Sequence, residues 1–261
     1  LLCILAITLT ACSDSSDNLH TTQPKQIFDV SISNATYVDE TRITPPTGEF
    51  PAMPSRTLET TIFMPEGEGS FPLLIFSHGL GASPLLYDSL LEGFAARGFV
   101  VVAPLYPLTG ANAPAGADPV DTQNQPGDVS FLIDTVGAAV AASEPPFDAR
   151  TDLGNIGTFG HSNGGITTLG VTANSCCIDS RIDAGVALAS SAAPFNGGSY
   201  DFLNTGPLMF AHGTADVLIP YEESARVFNE VAAAKGLLTL EEAGHTSFLL
   251  PSGQGYDTTL N

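Results

Sequence analysis

The chain contains 261 residues, which is enough for one large α/β domain and does not require a second. Its 28 Asp and Glu residues outnumber its 8 Lys and Arg residues, and the formal net charge of −20 repels phosphate backbones, so nucleic-acid binding is disfavoured. Because 43% of the residues are hydrophobic, this acidity belongs to the solvated surface of a globular protein and does not indicate disorder.

The first residues are predicted to act as a targeting signal and not as part of the fold. Residues 1–11 are apolar but fall short of the roughly 20 residues that span a membrane as a helix. Residues 9–12 (LTAC) resemble the lipobox of a bacterial lipoprotein, which implies that Cys12 carries a lipid anchoring the protein to the bacterial cell envelope. Ser13 after this cysteine suggests the outer membrane. A plain secretory signal, and therefore secretion, or a buried strand are the alternatives.

The domain organisation follows from this signal. Residues 1–12 form the signal segment, residues 13–26 are a polar tether, and residues 27–261 form the folded domain. The sequence leaves open whether this domain is truncated at its C-terminus. Neither an initiator Met nor a basic segment precedes Leu1, so we expect the sequence to be a fragment at this end.

Only two cysteines remain in the folded domain, because Cys3 leaves with the signal and Cys12 is acylated. Cys176 and Cys177 are adjacent, so they either form a vicinal disulfide, pair outside the chain or stay reduced. We expect a structural role for them. No C-x-x-C spacing occurs, and we expect no metal and no other cofactor.

Strands and helices are predicted to alternate from residue 27 onward. Two opening segments alternate apolar and polar residues, as antiparallel strands do, at 27–38 and 58–64. Apolar runs such as PLLIF and FVVVA are typical of strands buried on both faces of a parallel sheet. The further strands are predicted at 72–76, 99–103, 152–159, 184–189, 207–211 and 237–241, and the helices at 84–97, 129–142, 166–174 and 221–235. Asp128 is the expected N-cap of the second helix. This order predicts an α/β fold with a doubly wound, mostly parallel sheet.

A serine lies between the predicted strand 152–159 and the predicted helix 166–174. Residues 160–164 (GHSNG) have the G-x-S-x-G spacing of a nucleophile elbow, in which strand and helix approach too closely for a Cβ atom on either flank. Ser162 is therefore the candidate nucleophile.

A serine hydroxyl needs a base that an acid orients. His245 lies in the loop after the last predicted strand, from which its side chain can reach over Ser162, so it is the candidate base. The other histidines have less suitable predicted positions. His20 lies in the tether, and His78 lies in the loop after an early strand. His161 is on the wrong side of the elbow, and His212 is at the end of a core strand.

The acid is expected in a loop at the carboxyl end of a strand between Ser162 and His245. Asp216 follows the strand 207–211, at the sheet edge where open α/β sheets place their sites. Asp201, after the preceding strand, is the alternative. The order Ser162, Asp216, His245 is that of the α/β-hydrolases.

The segments SHGLGAS, GHSNGG, HGTADVLIP and AGH together resemble the α/β-hydrolase superfamily over residues 27–250. Within it, the chain is similar to dienelactone-hydrolase-like lipoproteins, to platelet-activating-factor acetylhydrolases and more loosely to cutinase-like polyester hydrolases. The resemblance implies an oxyanion hole formed by the backbone N–H groups of Leu80 and Asn163. Dienelactone hydrolases carry a cysteine where this chain has Ser162, and the acetylhydrolases take their acid from the loop that here offers Asp201.

These features predict a serine hydrolase that cleaves small or polymeric carboxylic esters through an acyl-enzyme. A thioesterase or peptidase on the same fold, or a non-catalytic binding lipoprotein, are the alternatives. The long loop 104–127 is expected to form a wall of the site, and the connection 190–206 is too short for a cap, so short or exposed acyl groups are favoured. The sequence does not predict the oligomeric state.

Overall fold

The computed structural model describes residues 26–247, which form an eight-stranded sheet flanked by helices. The strands are β1 (Val30–Asp39), β2 (Arg56–Pro65), β3 (Phe71–Ser77), β4 (Val100–Leu105), β5 (Thr151–His161), β6 (Ile182–Leu188), β7 (Leu208–Gly213) and β8 (Lys235–Leu240). Their order in the sheet is β1-β2-β4-β3-β5-β6-β7-β8. β1 and β2 are antiparallel to their neighbours, whereas β3 to β8 run parallel. The predicted doubly wound, mostly parallel sheet is therefore confirmed.

Helices cover both faces of this sheet. They are α1 (Asp88–Ala96), α2 (Gln125–Ala142), α3 (Asn163–Ala173) and α4 (Tyr221–Glu230), with short 3-10 helices at Pro84–Tyr87 and Pro119–Asn124. Leu90 of α1 shares a core cluster with Leu74 of β3, whereas Leu132 of α2 shares another with Leu73, the residue before Leu74 in that strand. Since successive side chains of a strand point to opposite faces, α1 and α2 cover opposite sides of the sheet. This double burial explains the continuous apolar runs of the sequence.

The start of the second helix and the end of the last described helix differ from the prediction. The second helix begins at Gln125 and its N-cap is Asn124, so the expected N-cap role of Asp128 is wrong. Pro126 is compatible with the first helical turn, and the buried carboxylate of Asp128 instead forms ion pairs with two arginines. The last described helix ends at Glu230 and not at residue 235, because Lys235 is already the first residue of β8.

The connection between β6 and β7 contains no helix at residues 190–206, so the expected absence of a cap there is confirmed for this described stretch. Cys176 and Cys177, just beyond the end of α3, are joined in a vicinal disulfide.

Within residues 26–247, no helix is both long enough and apolar enough to cross a membrane. Cys12 and the lipobox predicted around it lie outside the described residues.

Candidate active site

Ser162 lies in the tight turn between β5 and α3. Its backbone has φ 55° and ψ −118°, a conformation that is strained for a residue with a side chain and that is found at nucleophile elbows. A Cβ atom at Gly160 would collide with the carbonyl oxygen of Gly164, and one at Gly164 would collide with that of Ser77. The two glycines of the motif are therefore needed for the close approach of strand and helix that presents Ser162.

The predicted acid and base are hydrogen-bonded to each other. Nδ1 of His245 lies 2.6 Å from Oδ2 of Asp216 and must carry the proton, because an ionised carboxylate only accepts. The other oxygen, Oδ1, accepts from the backbone N–H groups of Leu218 (2.9 Å) and Ile219 (3.0 Å). Burial raises the pKa of Asp216, but the bonds from His245 and from these two N–H groups outweigh it and lower the pKa overall. Asp216 is therefore negatively charged at neutral pH.

A second histidine also contacts the acid. Nε2 of His212 lies 3.1 Å from Oδ2 of Asp216 and 2.9 Å from the carbonyl oxygen of Ile219, and since both are acceptors this nitrogen carries the proton. The side chains of His212 and Asp216 are fully buried. Sequence reasoning placed His212 at the end of a core strand but missed this contact, for which the four-residue spacing in HGTAD was the available signal.

Asp201, the alternative acid, does not contact the base. Its backbone N–H bonds to the carbonyl of Ala173, the last residue of α3, and its carboxylate accepts from the side chain of Asn204. Ser162 lies at the other end of that helix, which is 11 residues or about 16 Å long.

His161, at the end of β5, and Gly79, in the loop after β3, lie next to the base and the nucleophile. The ring of His161 lies 4.7 Å from that of His245, measured between centroids, and its Nε2 lies 2.8 Å from the carbonyl oxygen of His245. Gly79 packs so closely that an added Cβ atom would lie 3.4 Å from Cβ of Ser162. Among the described residues, no hydrogen bond joins the Ser162 hydroxyl to His245. Such bonds are often long before substrate binds.

The oxyanion-hole candidates lie beside the nucleophile. The N–H of Gly79 donates to the hydroxyl of Tyr87 (3.0 Å), and that of Gly81 to the carbonyl of Thr109 (2.8 Å). The intervening N–H of Leu80, like that of Asn163 at the start of α3, makes no hydrogen bond to any other residue in the described range. Both can therefore bind an oxygen that develops negative charge.

The loop 104–127 contacts Asn163 and also Gly81, the residue that follows Leu80. The hydroxyl of Thr122 donates to Oδ1 of Asn163 (2.8 Å), and Nε2 of Gln125 donates to Oγ1 of Thr109 (2.6 Å). Thr109 in turn accepts the N–H of Gly81. These buried contacts show that the loop borders the site.

A buried ionic cluster holds this loop in place, and the sequence analysis did not predict it. Arg56 has no exposed surface and binds both Asp121 (2.9 and 3.0 Å) and Asp128 (2.7 and 2.7 Å). Burial raises the pKa of Asp128, against the lowering effect of Arg56 and Arg42. Asp121 belongs to the 3-10 helix Pro119–Asn124, which also carries Thr122.

No group of three or more His, Cys, Asp or Glu side chains in residues 26–247 is arranged to hold a metal ion.

Comparisons with known proteins agree with this fold. Among solved structures, a ferulic acid esterase from Streptomyces cinnamoneus superposes with a TM-score of 0.65 at 20% identity, covering 87% of this chain and 78% of that one. The esterase Est2 from Thermogutta terrifontis superposes with a TM-score of 0.57 at 17% identity, covering 78% of this chain and 84% of that one. At such low identity these two likenesses show the fold, which is that of the α/β-hydrolases.

The sequence comparisons identify the family. Chlorophyllase-1, chloroplastic from Citrus sinensis is 26% identical over 123 residues, which are 47% of this chain and 35% of that protein. The chain therefore matches only about a third of that relative's length. The family model for chlorophyllase matches residues 28–199, a range that includes Leu80, Ser162 and Asn163 and ends before Asp216 and His245. Since this match covers more than half of the chain, the protein belongs to the chlorophyllase family.

Proposed function

We propose that this protein is a serine hydrolase that cleaves carboxylic esters, with Ser162 as nucleophile, His245 as base and Asp216 as acid. The observation that carries this proposal is the 2.6 Å bond between His245 and Asp216, on two loops at the sheet edge that presents Ser162. A non-catalytic binding protein would not need this bond or the strained backbone of Ser162.

The arrangement supports acyl-enzyme chemistry. Oγ of Ser162 attacks the ester carbonyl carbon while His245 takes the proton of the Ser162 hydroxyl. The N–H groups of Leu80 and Asn163 stabilise the resulting oxyanion. His245 then returns the proton to the departing alcohol. Water attacks the acyl-enzyme in the same way and releases the acid. The lowered pKa of Asp216 keeps its carboxylate charged beside the imidazolium that forms in each step.

Esters are favoured over thioesters and peptides because the similar proteins bear the names of a chlorophyllase and of two esterases. Exposed apolar side chains adjoin the site residues, with Val217 and Leu218 91% and 71% exposed beside Asp216. They offer contacts to an apolar part of a substrate. The connection 190–206 contains no helix that could cover the site. Esters with short or exposed acyl groups are therefore the favoured substrates.

The test combines a fluorophosphonate probe with p-nitrophenyl esters. Ser162→Ala and His245→Ala should each lower kcat on the order of 10⁶-fold, and the double variant should lose little more, since the residues act as a unit. Asp216→Ala should cost less, and Asp201→Ala, the matched control, should stay near the wild type. Probe labelling that survives Ser162→Ala would refute the nucleophile, and a larger loss for Asp201→Ala would refute the acid. Faster turnover of matched thioesters or peptides would favour the alternatives.

A further inference from the structure

Two buried side chains outside the proposed triad connect its base to the loop that carries Gly79 and Leu80. Tyr87 and His161 are 1% and 3% exposed, and the Tyr87 hydroxyl lies 3.0 Å from Nδ1 of His161. At one end of this pair, the hydroxyl accepts the N–H of Gly79 (3.0 Å). At the other end, Nε2 of His161 lies 2.8 Å from the carbonyl oxygen of His245. The hydrogen bonds therefore form a continuous chain that passes beside Ser162.

The acceptor in each of these hydrogen bonds determines which atom carries the proton. A carbonyl oxygen only accepts, so Nε2 of His161 carries a proton and donates a hydrogen bond to the carbonyl oxygen of His245. Burial lowers the pKa of His161 to about 4, so the ring is neutral at neutral pH and its Nδ1 is an acceptor. The Tyr87 hydroxyl then donates to Nδ1 while it accepts from Gly79. Every polar atom along the chain has a partner in this one arrangement.

The bond from His161 attaches the backbone of His245 to the end of β5. Within residues 26–247, no other residue forms a hydrogen bond with the main chain of His245. Its side chain is held separately, by Asp216. Without His161 the backbone of this loop residue would lose its link to the elbow. At the other end, Gly79 immediately precedes Leu80, a candidate oxyanion donor.

We propose that His161 and Tyr87 are positioning residues, which hold the backbone of His245 and the loop of Gly79 in fixed positions relative to Ser162. This inference rests on the proposed esterase function. His161 suits the role because its two ring nitrogens lie on different sides of one rigid ring, so one side chain can accept from Tyr87 and donate to His245. Misplacing a reacting group by about 1 Å can cost about 10²-fold in rate.

Two substitutions of His161 test its hydrogen bonds to Tyr87 and to His245 separately. In His161→Gln the side-chain amide can reach the position of Nε2 and keep the donation to His245. In His161→Asn it reaches only the position of Nδ1 and can keep the contact with Tyr87. We expect kcat for a p-nitrophenyl ester to fall less than about tenfold in the Gln variant and about 10²-fold in the Asn variant, with KM changed little in both.

Tyr87→Phe tests the other end and has a matched control. The hydroxyl of Tyr200 bonds to the carbonyl of Ala193, and the backbone of Tyr200 pairs with that of Asn174, the residue after α3. Tyr87→Phe should lower kcat about tenfold or more, whereas Tyr200→Phe should cost similar thermal stability and leave kcat unchanged. Equal losses of kcat in the Gln and Asn variants, or equal kcat for the two Tyr→Phe variants, would overturn the proposal.

Hydrogen–deuterium exchange tests the positioning without relying on activity. Amide exchange in residues 241–247 should be faster in His161→Asn than in the wild type, and close to the wild type in His161→Gln. Unchanged exchange in the Asn variant would overturn the proposal even if kcat fell. If the wild-type protein neither cleaves esters nor reacts with the fluorophosphonate, the proposed function fails, while the exchange pattern still decides whether His161 holds the loop.

Discussion

Replacing Arg56 by Met should destabilise the protein strongly, because it leaves two carboxylates without their main counter-charge. Arg56 makes four hydrogen bonds of 2.7 to 3.0 Å to Asp121 and Asp128, and all three side chains are fully buried. Removing one partner of a buried ion pair costs about 3 to 5 kcal/mol. In a domain of this size, 1 kcal/mol corresponds to about 2 to 4 °C, so Tm should fall on the order of 10 °C.

The pH dependence of this loss gives a second signature. Burial already raises the pKa of Asp128 against the opposing effect of Arg56, so loss of the arginine raises that pKa further. A carboxyl whose folded pKa exceeds its unfolded value binds its proton more tightly in the folded state, so its protonation favours folding as pH falls. The difference from the wild type, measured by urea unfolding, should be largest at neutral pH and shrink toward the ordinary carboxyl pKa of about 4.

A surface arginine provides the matched control. Arg226 also bridges two acidic side chains, Glu223 and Glu230, but it is 48% exposed, so Arg226→Met should cost less than about 1 kcal/mol. Adding Asp121→Asn and Asp128→Asn to Arg56→Met should restore part of the lost stability by removing the buried negative charges. A loss for Arg56→Met no larger than that for Arg226→Met, or one independent of pH, would refute the reasoning.

Three further outcomes are expected. Replacing Cys176 and Cys177 by Ser should lower Tm and leave kcat near the wild type, because the disulfide lies just beyond α3, whose first turn adjoins Ser162; loss of kcat in a folded variant would contradict this. Soluble short-chain esters should give ordinary saturation kinetics, and a jump in rate above the solubility limit would indicate a lid. A chain carrying its complete signal should take up labelled fatty acid, and Cys12→Ala should not; an unmodified N-terminus elsewhere, found by mass spectrometry, would contradict lipidation.

The sequence alone was sufficient for features that depend on local pattern and strand order. The G-x-S-x-G spacing requires close approach of strand and helix, which the steric contacts of Gly160 and Gly164 show. Since the carboxyl ends of parallel strands meet at one sheet edge, the loops after the strands predicted at 207–211 and 237–241 were expected to meet near Ser162. Asp216 and His245 could therefore be singled out from their positions after these two strands.

Tertiary structure decided the roles of polar residues whose partners are distant in the sequence. A local pattern made Asp128 a helix cap, whereas packing brings it to Arg56, 72 residues away, because a buried carboxylate needs a counter-charge. His161 was set aside because of its side of the turn, yet folding places it between Tyr87 and His245, 74 and 84 residues away. Strand order favoured Asp216 and kept Asp201 as the alternative, whereas the hydrogen bond between Asp216 and His245 is a property of the folded chain. Hydrogen bonds and ion pairs depend on distances of about 3 Å, which spacing along a chain does not determine.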